Sequence, residues 1–371
     1  MMRGALQFAV CLHLILLCLA GGAAAQRTKG TKLDPRIAAQ VDEVIRAKID
    51  ETGAVGLAVG IIQDRRVALV ETYGLANRET NKPVTRNTMF RWASCSKPVT
   101  ALAAMQLVDQ GRLNLDDDIR KYVPEFPQHD ATITVRQLLC HQGGIVHYSN
   151  GKVIPTLVDY EKAHPFADVV VALDRFKASP LVAVPGTKYS YSTYGYILLS
   201  AVVQRAGNEP FAEQVSKRIA GPAKLKSLQP DYQWINIPHR AEGYRKKDDM
   251  IVPSVDEDVS WKLGGGGFIS NIDDFAGFAA TLLQGNLLSP TAYEAMWTRQ
   301  HTTDGKETEY GLGFNITPQR AGLRVSHNGS QEKTRTRLVI YPEKGSGVVL
   351  MTNSEWVEPE DFTTAIFKAL K

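Results

Sequence analysis

The sequence predicts an α+β fold in which one antiparallel sheet is built from both ends of the chain and flanked by helices. Strand-like runs occupy 55–63 and 66–73 near one end and 323–326, 336–341 and 347–352 near the other. The segment between them has mainly helical periods. Strands at both ends of a chain with helices between them indicate a sheet lobe that carries a mostly helical inserted lobe.

The individual elements follow from hydrophobic spacing and turn residues. A helix over 37–49 precedes the first two strands, which Asp64-Arg65 joins. Further predicted elements are helices after position 94 and at 135–140, 166–176 and 196–206, a strand at 310–316, and a closing helix at 360–370. The predicted domain boundaries are a sheet lobe of residues 30–90 plus 262–371 and a helical lobe of residues 91–261.

The composition is that of an ordinary globular protein, large enough for one core or two compact lobes. Of the 371 residues, 44% are hydrophobic and 22% are charged, and the formal net charge is +4. No extended run of basic residues occurs, so nucleic acid is not expected as a partner. His141 and His147 flank a Gly-Gly turn, but this spacing is a weak signal, and neither a metal nor another cofactor is predicted. The oligomeric state is left open.

Residues 1–25 have the layout of a secretory signal peptide. Arg3 precedes an apolar run, and a stretch of small residues ends at Ala25, where we expect cleavage. The alternative is an uncleaved membrane anchor, but the run is shorter than the roughly 20 residues that a spanning helix needs. We therefore expect a secreted or periplasmic protein whose contact with a membrane ends when the signal is removed.

Four cysteines occur, and two of them, Cys11 and Cys18, lie in the predicted signal peptide. The remaining pair, Cys95 and Cys140, is too few for a disulfide scaffold in a domain of this size. Two buried thiols are favoured, and a bridge between them stays open. Cys95 as a nucleophile is a further alternative, although it points about 100° around the helix from the face shared by residues 94 and 97.

A serine and a lysine stand three residues apart where a helical pattern begins, in Ser94-Cys95-Ser96-Lys97. Residues i and i+3 share one face of a helix, so a desolvated Lys97 amine can take the proton of the Ser94 hydroxyl. Ser94 also lies at the positive end of the helix dipole. Ser94 is therefore the predicted nucleophile and Lys97 its base.

Two other Ser-x-x-Lys matches show that this pattern depends on its context. Ser149 and Lys152 lie in a Ser-Asn-Gly turn, and Ser330 and Lys333 follow Asn-Gly. Only the residues after Ser94 repeat apolar side chains at steps of three and four.

A second candidate motif lies in 185–196, where a Pro-Gly turn leads into a tyrosine-rich loop before a helix. A phenol close to an ammonium can have its pKa lowered enough to relay a proton. Clustered tyrosines are more often packing residues, so this loop gains weight only beside the other motifs.

The third candidate motif, His327-Asn328-Gly329-Ser330, ends a predicted strand. His327 is expected to face a cleft, and Gly329 to allow the close approach of a ligand. The backbone N–H groups of Ser94 and Ser330 are expected to hold a developing oxyanion.

In order and spacing these motifs, Ser-x-x-Lys, Tyr191-Ser192-Thr193 and His-x-Gly, resemble the serine beta-lactamase-like hydrolases related to D,D-peptidases and serine esterases. Stretches 113–117, 133–144, 265–270 and 310–314 fit the same family, and 122–127, 191–193 and 261–268 are most similar to its mitochondrial branch. The secretory signal suggests a bacterial relative instead. The resemblance implies the beta-lactamase/D,D-peptidase fold in a single catalytic domain.

The mechanism that the resemblance implies is acyl transfer through a covalent intermediate on Ser94, with Lys97 as base and Tyr191 as general acid and base. His327 stands where many members have the lysine of Lys-Thr-Gly, and Thr193 where many have an asparagine that binds substrate. An imidazole should weaken the capture of a substrate carboxylate, and a threonine lacks the carboxamide that grips a substrate amide. Both changes favour an esterase or peptidase over an efficient beta-lactamase.

Other hydrolase designs are set aside because the chain has no Gly-x-Ser-x-Gly and no His-Glu-x-x-His motif. The prediction is a secreted serine hydrolase acting on an ester or amide of a small molecule or peptide. The alternative is a non-catalytic binding or scaffolding homologue of the same fold. The presence of all three motifs together opposes that alternative.

Overall fold

The computed structural model describes residues 32–156, 158–320 and 322–371. The predicted signal peptide at 1–25 lies outside these residues. Thr31–Lys371 form one compact unit, so both predicted lobes are parts of one body. Within the described ranges, no helix is long and apolar enough to cross a membrane.

A seven-stranded antiparallel sheet forms the centre of the molecule and draws its strands from both ends of the chain, as predicted. Its strands are β1 (Gly56–Gln63), β2 (Arg66–Asn77), β3 (Lys82–Pro83), β9 (Asn315–Gln319), β10 (Gly322–Gln331), β11 (Thr334–Tyr341) and β12 (Ser346–Thr352). Their order is β3-β2-β1-β12-β11-β10-β9, so β1 pairs with the last strand of the chain. Asp64 and Arg65 make the β1–β2 turn with φ values of 50° and 62°.

Five short strands lie outside this sheet, and the helices cover it. The short strands are β4 (Phe90–Arg91), β5 (Gln229–Pro230), β6 (Tyr244–Lys247), β7 (Met250–Pro253) and β8 (Phe268–Ser270). The α-helices of the described residues are α1 (Pro35–Thr52), α2 (Ser96–Asp109), α3 (Val135–Leu139), α4 (Thr193–Gly207), α5 (Phe211–Val215), α6 (Gly221–Ala223), α7 (Leu263–Gly266), α8 (Ile272–Gln284), α9 (Pro290–Met296) and α10 (Pro359–Ala369).

Both faces of β1 are covered, which explains why its sequence is continuously apolar. Leu57, Val59 and Ile61 pack with α1 and α10, whereas the intervening residues belong to the main core on the opposite face. On that second face α8 approaches closely: a Cβ on Gly60 would lie 2.6 Å from the Cβ of Ala276.

Two predicted elements differ from the structure. The helix expected over 166–176 is two short 3-10 segments, Pro165–Ala167 and Val171–Arg175. The strand expected over 310–316 begins only at Asn315. Gly313 has a φ of 95°, which is not an extended conformation, so the strand cannot include it. This glycine passes close to α2, where a Cβ would lie 2.4 Å from the Cβ of Ala101.

Candidate active site

Ser94 lies in a 3-10 turn, Ala93–Cys95, which connects β4 to α2. Ala93 has a φ of 47°, a left-handed conformation that is uncommon for alanine. The surrounding structure enforces it: Ala93 is fully buried, and the carbonyl before it, on Trp92, accepts a hydrogen bond from Thr336 Oγ1 at 2.8 Å. The turn therefore fixes Ser94 at the start of α2.

Lys97 is fully buried, and its amine contacts three oxygen atoms. Nζ lies 3.0 Å from Ser94 Oγ, 3.1 Å from Thr193 Oγ1 and 2.7 Å from the carbonyl oxygen of Gly265. A neutral amine has two N–H donors and one lone pair. In that form Nζ donates to the Gly265 carbonyl and the Thr193 hydroxyl, and its lone pair is free to take the proton of the Ser94 hydroxyl.

The charge state of Lys97 agrees with that arrangement. Burial lowers the pKa of its amine well below the ordinary value, and the nearby positive charge of Lys262 lowers it further. Both effects favour the free base beside Ser94, which is the state required to take a proton from the hydroxyl.

Tyr191 borders the same hydroxyl and the same amine. Its side chain lines the cavity together with Ser94, and Lys97 Nζ lies 4.8 Å from the centroid of its ring. Burial raises the pKa of Tyr191, which is the opposite of the lowering expected from the sequence. The physical reason is that removal from water destabilises the charged phenolate. Tyr191 is a neutral phenol that can donate its proton.

Two histidines that the sequence reasoning did not assign to the site hold the Tyr191 loop. His141 Nδ1 accepts a hydrogen bond from the backbone N–H of Ser192 at 3.1 Å, and His147 Nδ1 accepts one from that of Thr193 at 3.2 Å. Burial lowers the pKa of both rings, that of His147 to about 4, which keeps them neutral acceptors. The only hint of this role in the sequence was that both histidines flank the Gly143-Gly144 turn. Across 32–156, 158–320 and 322–371, no group of three or more His, Cys, Asp or Glu side chains could hold a metal ion.

His327 and Gly329 do not face the cavity as expected. Successive residues of a strand point to opposite faces, and on β10 Asn328 and Ser330 line the cavity. His327 shares the other face with Gly329 and is 2% exposed, with Nδ1 2.7 Å from the Asn328 carbonyl oxygen and Nε2 2.9 Å from the Tyr310 hydroxyl. Burial lowers the pKa of His327 to about 3, so its imidazole is neutral.

Gly329 is required by protein packing rather than by a ligand. A Cβ there would lie 2.1 Å from Thr336 Oγ1 and 2.5 Å from the Trp92 carbonyl oxygen. Because Gly329 has no side chain, β10 can lie close to the turn that precedes Ser94. Ser330 is exposed on the cavity wall, where its backbone N–H remains the predicted second oxyanion donor.

The other Ser-x-x-Lys pairs do not form such a site. Ser149 and Lys152 are exposed in a turn, and Lys333 forms ion pairs with Asp256 and Glu242 instead of contacting Ser330.

Cys95 and Cys140 are both buried free thiols. Burial raises the pKa of each thiol to about 12, so neither is a reactive thiolate at neutral pH. Cys95 Sγ lies 3.4 Å from the His327 carbonyl oxygen, which is the side of the turn away from Lys97.

The site opens into a cavity of about 590 Å³ with one apolar and one charged wall. Its charged wall, which sequence reasoning did not anticipate, consists of Glu257, Lys262, Glu332, Arg335 and Glu355. The Lys262 side chain is 7% exposed and lies 3.9 Å from carboxylate oxygens of both Glu257 and Glu332. These residues come from three segments, the one before α7, the β10–β11 hairpin and the one after β12, so no local pattern links them.

The fold and the site are those of a beta-lactamase-type protein, and a family model described as Beta-lactamase matches residues 41–371. The chain therefore belongs to the beta-lactamase family, a family of serine acyl-transferring hydrolases and penicillin-binding proteins. It is similar to the serine beta-lactamase-like protein LACTB, mitochondrial, of Homo sapiens, with 26% identity over 80% of this chain and 70% of that protein. The predicted family is thus confirmed, and the mitochondrial protein is among the chain's relatives.

Two solved structures show the same fold. The octameric penicillin-binding protein homologue from Pyrococcus abyssi is 25% identical with a TM-score of 0.73, over 90% of this chain and 77% of that one. EstCE1, a hydrolase with promiscuous acyltransferase activity, is 23% identical with a TM-score of 0.72, over 90% of this chain and 98% of that one. The predicted α+β fold of the beta-lactamase/D,D-peptidase type is confirmed.

Proposed function

We propose that this chain is a serine hydrolase that forms an acyl-enzyme on Ser94 with an ester or amide substrate. The observation that supports this most strongly is the position of Lys97 Nζ, 3.0 Å from Ser94 Oγ in surroundings that keep the amine neutral. A structural lysine would be expected to pair with a carboxylate. Here its three partners are a hydroxyl, a hydroxyl and a carbonyl, which suit a base that must accept a proton.

In this proposal Lys97 takes the hydroxyl proton as Ser94 Oγ attacks the substrate carbonyl carbon. The backbone N–H groups of Ser94 and Ser330 bind the oxyanion that forms. Tyr191 donates its proton to the leaving oxygen or nitrogen and regains one from the Lys97 ammonium. Water then attacks the acyl carbon and gives up a proton to Tyr191 and Lys97. These two side chains pass that proton to Ser94 Oγ as its bond to the acyl carbon breaks. His327 points away from the cavity, so we assign it no step.

The cavity favours a small molecule or short peptide as substrate. Its volume of about 590 Å³ lies within the usual range of ligand pockets, roughly 300–1,000 Å³. Thr193 presents a hydroxyl instead of a carboxamide, and β10 brings no cation from position 327. We therefore propose an esterase or peptidase with at most weak beta-lactamase activity. We also propose that the mature protein is secreted or periplasmic.

The decisive experiment is intact-protein mass spectrometry after incubation with a fluorophosphonate, and separately with a penicillin. We expect one phosphonate adduct on the parent and on Ser149→Ala, and none on Ser94→Ala. A penicilloyl adduct that persists indicates a penicillin-binding peptidase, whereas its rapid loss indicates a lactamase. A folded parent that neither reagent labels would contradict the proposal and favour a non-catalytic homologue.

A further inference from the structure

A second cavity of about 440 Å³ lies between the central sheet and the terminal helices, and it shares no lining residue with the active-site cavity. One wall is apolar. Ile37 of α1, Ile61 of β1, Val339 of β11 and Phe367 of α10 line it, and Leu33 lines it just before α1. None of these residues has a role in the hydrolase proposed above.

The remainder of this second cavity is polar and carries basic side chains. Arg324, Arg337, Lys344, Lys368 and Lys371 line it together with neutral polar residues, and no Asp or Glu side chain of the described residues does. Glu360 is the acidic side chain closest to the two arginines. Its Oε1 lies 2.8 Å from Arg337 Nη2 and 3.6 Å from Arg324 Nη1, so two guanidinium groups share one carboxylate.

Both guanidinium groups also have an unused donor. Arg337 is 4% exposed, and its buried Nε has no hydrogen-bond partner. The Nε of Arg324 is likewise buried without a partner. A buried donor without an acceptor costs about 1–3 kcal/mol, and native proteins rarely keep one. These buried Nε atoms are out of reach of a ligand, but two guanidinium groups that share one carboxylate leave a net positive charge, and this charge favours an anionic ligand in the cavity.

We propose that this second cavity binds a single-chain anionic amphiphile, a fatty carboxylate, with its headgroup on Arg324 and Arg337 and its chain against the apolar wall. A small inorganic anion would satisfy the arginines but leave the wall formed by Ile37, Ile61 and Phe367 in water. A neutral hydrocarbon would cover that wall but leave the net positive charge of the two arginines without a counter-charge. The cavity volume is within the usual range for a small ligand.

The test measures the Kd of dodecanoate, below its micelle concentration, for the full chain by isothermal titration calorimetry. Shortening the chain to decanoate should weaken binding about tenfold, because each buried methylene contributes about 0.8 kcal/mol. Acetate and a nonionic twelve-carbon amphiphile should each bind at least tenfold more weakly than dodecanoate. This series needs no variant and so does not depend on the folding of a mutant.

Two variants then locate the site. Thr364→Trp, at an exposed position of α10 that lines the cavity, should fill the space and abolish binding. Arg324→Gln should weaken dodecanoate about tenfold and leave the nonionic amphiphile unchanged, since it removes charge and not apolar surface. Arg245→Gln, at an exposed position of β6, is the matched control and should bind like the parent.

The proposal fails if the parent does not bind dodecanoate, or if Thr364→Trp, folded by thermal melting, binds it as the parent does. Binding that ignores chain length would also overturn it. Fluorophosphonate labelling of Ser94 is measured on the same samples. That label forms only on Ser94, so it reports on the hydrolase proposal separately, although Arg337 of the second cavity donates a hydrogen bond to Asn328 of the active-site cavity.

Discussion

At the scale of single residues, burial decides the protonation states that the chemistry needs. Lys97 contacts only neutral oxygen atoms and is shielded from water, so its neutral form is favoured. Tyr191 is shielded as well, and the same effect keeps its phenol protonated. A base and an acid thus stand beside Ser94 in complementary states, without a histidine in either role.

The first prediction concerns the pH dependence of Ser94 labelling. The lysine must be neutral to act as a base, so the labelling rate should fall as the pH falls through the lowered pKa of Lys97 and should reach a plateau above it. Lys97→Arg keeps a cation at every pH and should slow labelling about 10²–10⁴-fold, the usual contribution of a general base. The measurement is the fluorophosphonate rate from acidic to alkaline pH.

Lys152→Arg, in the exposed Ser149 turn, is the matched control and should label at the parent rate. A Lys97→Arg variant that labels within tenfold of the parent would exclude Lys97 as the base.

At the scale of elements, α7 supports the site through close backbone contact. Its glycines let it approach α4, and a Cβ on Gly265 would lie 2.6 Å from Thr193 Cγ2. The Gly265 carbonyl is also the shortest contact of Lys97. The four consecutive glycines therefore serve packing and hydrogen bonding, because residues without side chains let the backbone of α7 lie close to α4.

The second prediction follows from that contact. Gly265→Ala should lower the free energy of unfolding by about 1–3 kcal/mol, because the added methyl overpacks the α7–α4 interface, and it should slow Ser94 labelling. Gly195→Ala on α4 is the control, since the atom nearest to its added methyl, Ser192 Cβ, would be 3.5 Å away. That control should change stability by less than about 1 kcal/mol. Equal stabilities of the two variants in urea denaturation would refute the packing argument.

The strand that leads to Ser94 is held by a buried charge cluster. Asp231 is fully buried, with Oδ2 2.6 Å from Arg91 Nε and Oδ1 2.7 Å from Arg240 Nη2. Arg91 belongs to β4, three residues before Ser94. This cluster joins the nucleophile turn to the segment that follows β5.

The third prediction tests this cluster. Asp231→Ala should destabilise the fold by about 3–5 kcal/mol, because it leaves a buried guanidinium without a counter-charge. Asp273→Ala breaks the exposed pair with Arg86 and should cost less than about 1 kcal/mol. Urea denaturation of both variants measures the difference. If Asp231→Ala lowers the free energy of unfolding no more than Asp273→Ala does, the buried ion pair is not required for stability.

At the scale of the whole molecule, the active-site cavity is assembled from segments that lie far apart in the chain. Ser94 comes from the turn before α2, Thr193 from α4, Lys262 from the segment before α7, and Ser330 from β10. The antiparallel sheet makes this possible because it pairs the first strands of the chain with the last ones. Removal of either end of the sheet would therefore dismantle the site.

The fourth prediction concerns the N-terminus. Expressed with its own N-terminus in a bacterium that has an outer membrane, the protein should be recovered from the periplasm or medium with a mass that begins at Gln26. Ala25→Tyr should retain the full-length mass, because the cleavage site requires a small residue. Full-length parent protein that stays in the cytoplasm would contradict the proposed secretion.

The sequence was sufficient for the fold class, the family and the order of the motifs. Strand alternation, helical periods and the Asp64-Arg65 turn are local signals, and the structure reproduces the elements they predict. The Ser94–Lys97 contact was equally accessible, because a spacing of three residues on a helix sets that geometry by itself. Residues 166–176 and 310–314 were misassigned since tertiary packing determines their backbone.

Only the tertiary structure decided which side chains meet and in what charge state. The alternation of β10 turns His327 away, and a charged wall with Lys262 faces the cavity instead. The neutral form of Lys97 depends on burial under α7, which lies 168 residues further along the chain. The burial of a side chain and the charges around it depend on residues that are far away in the sequence, so they cannot be predicted from the spacing of a motif.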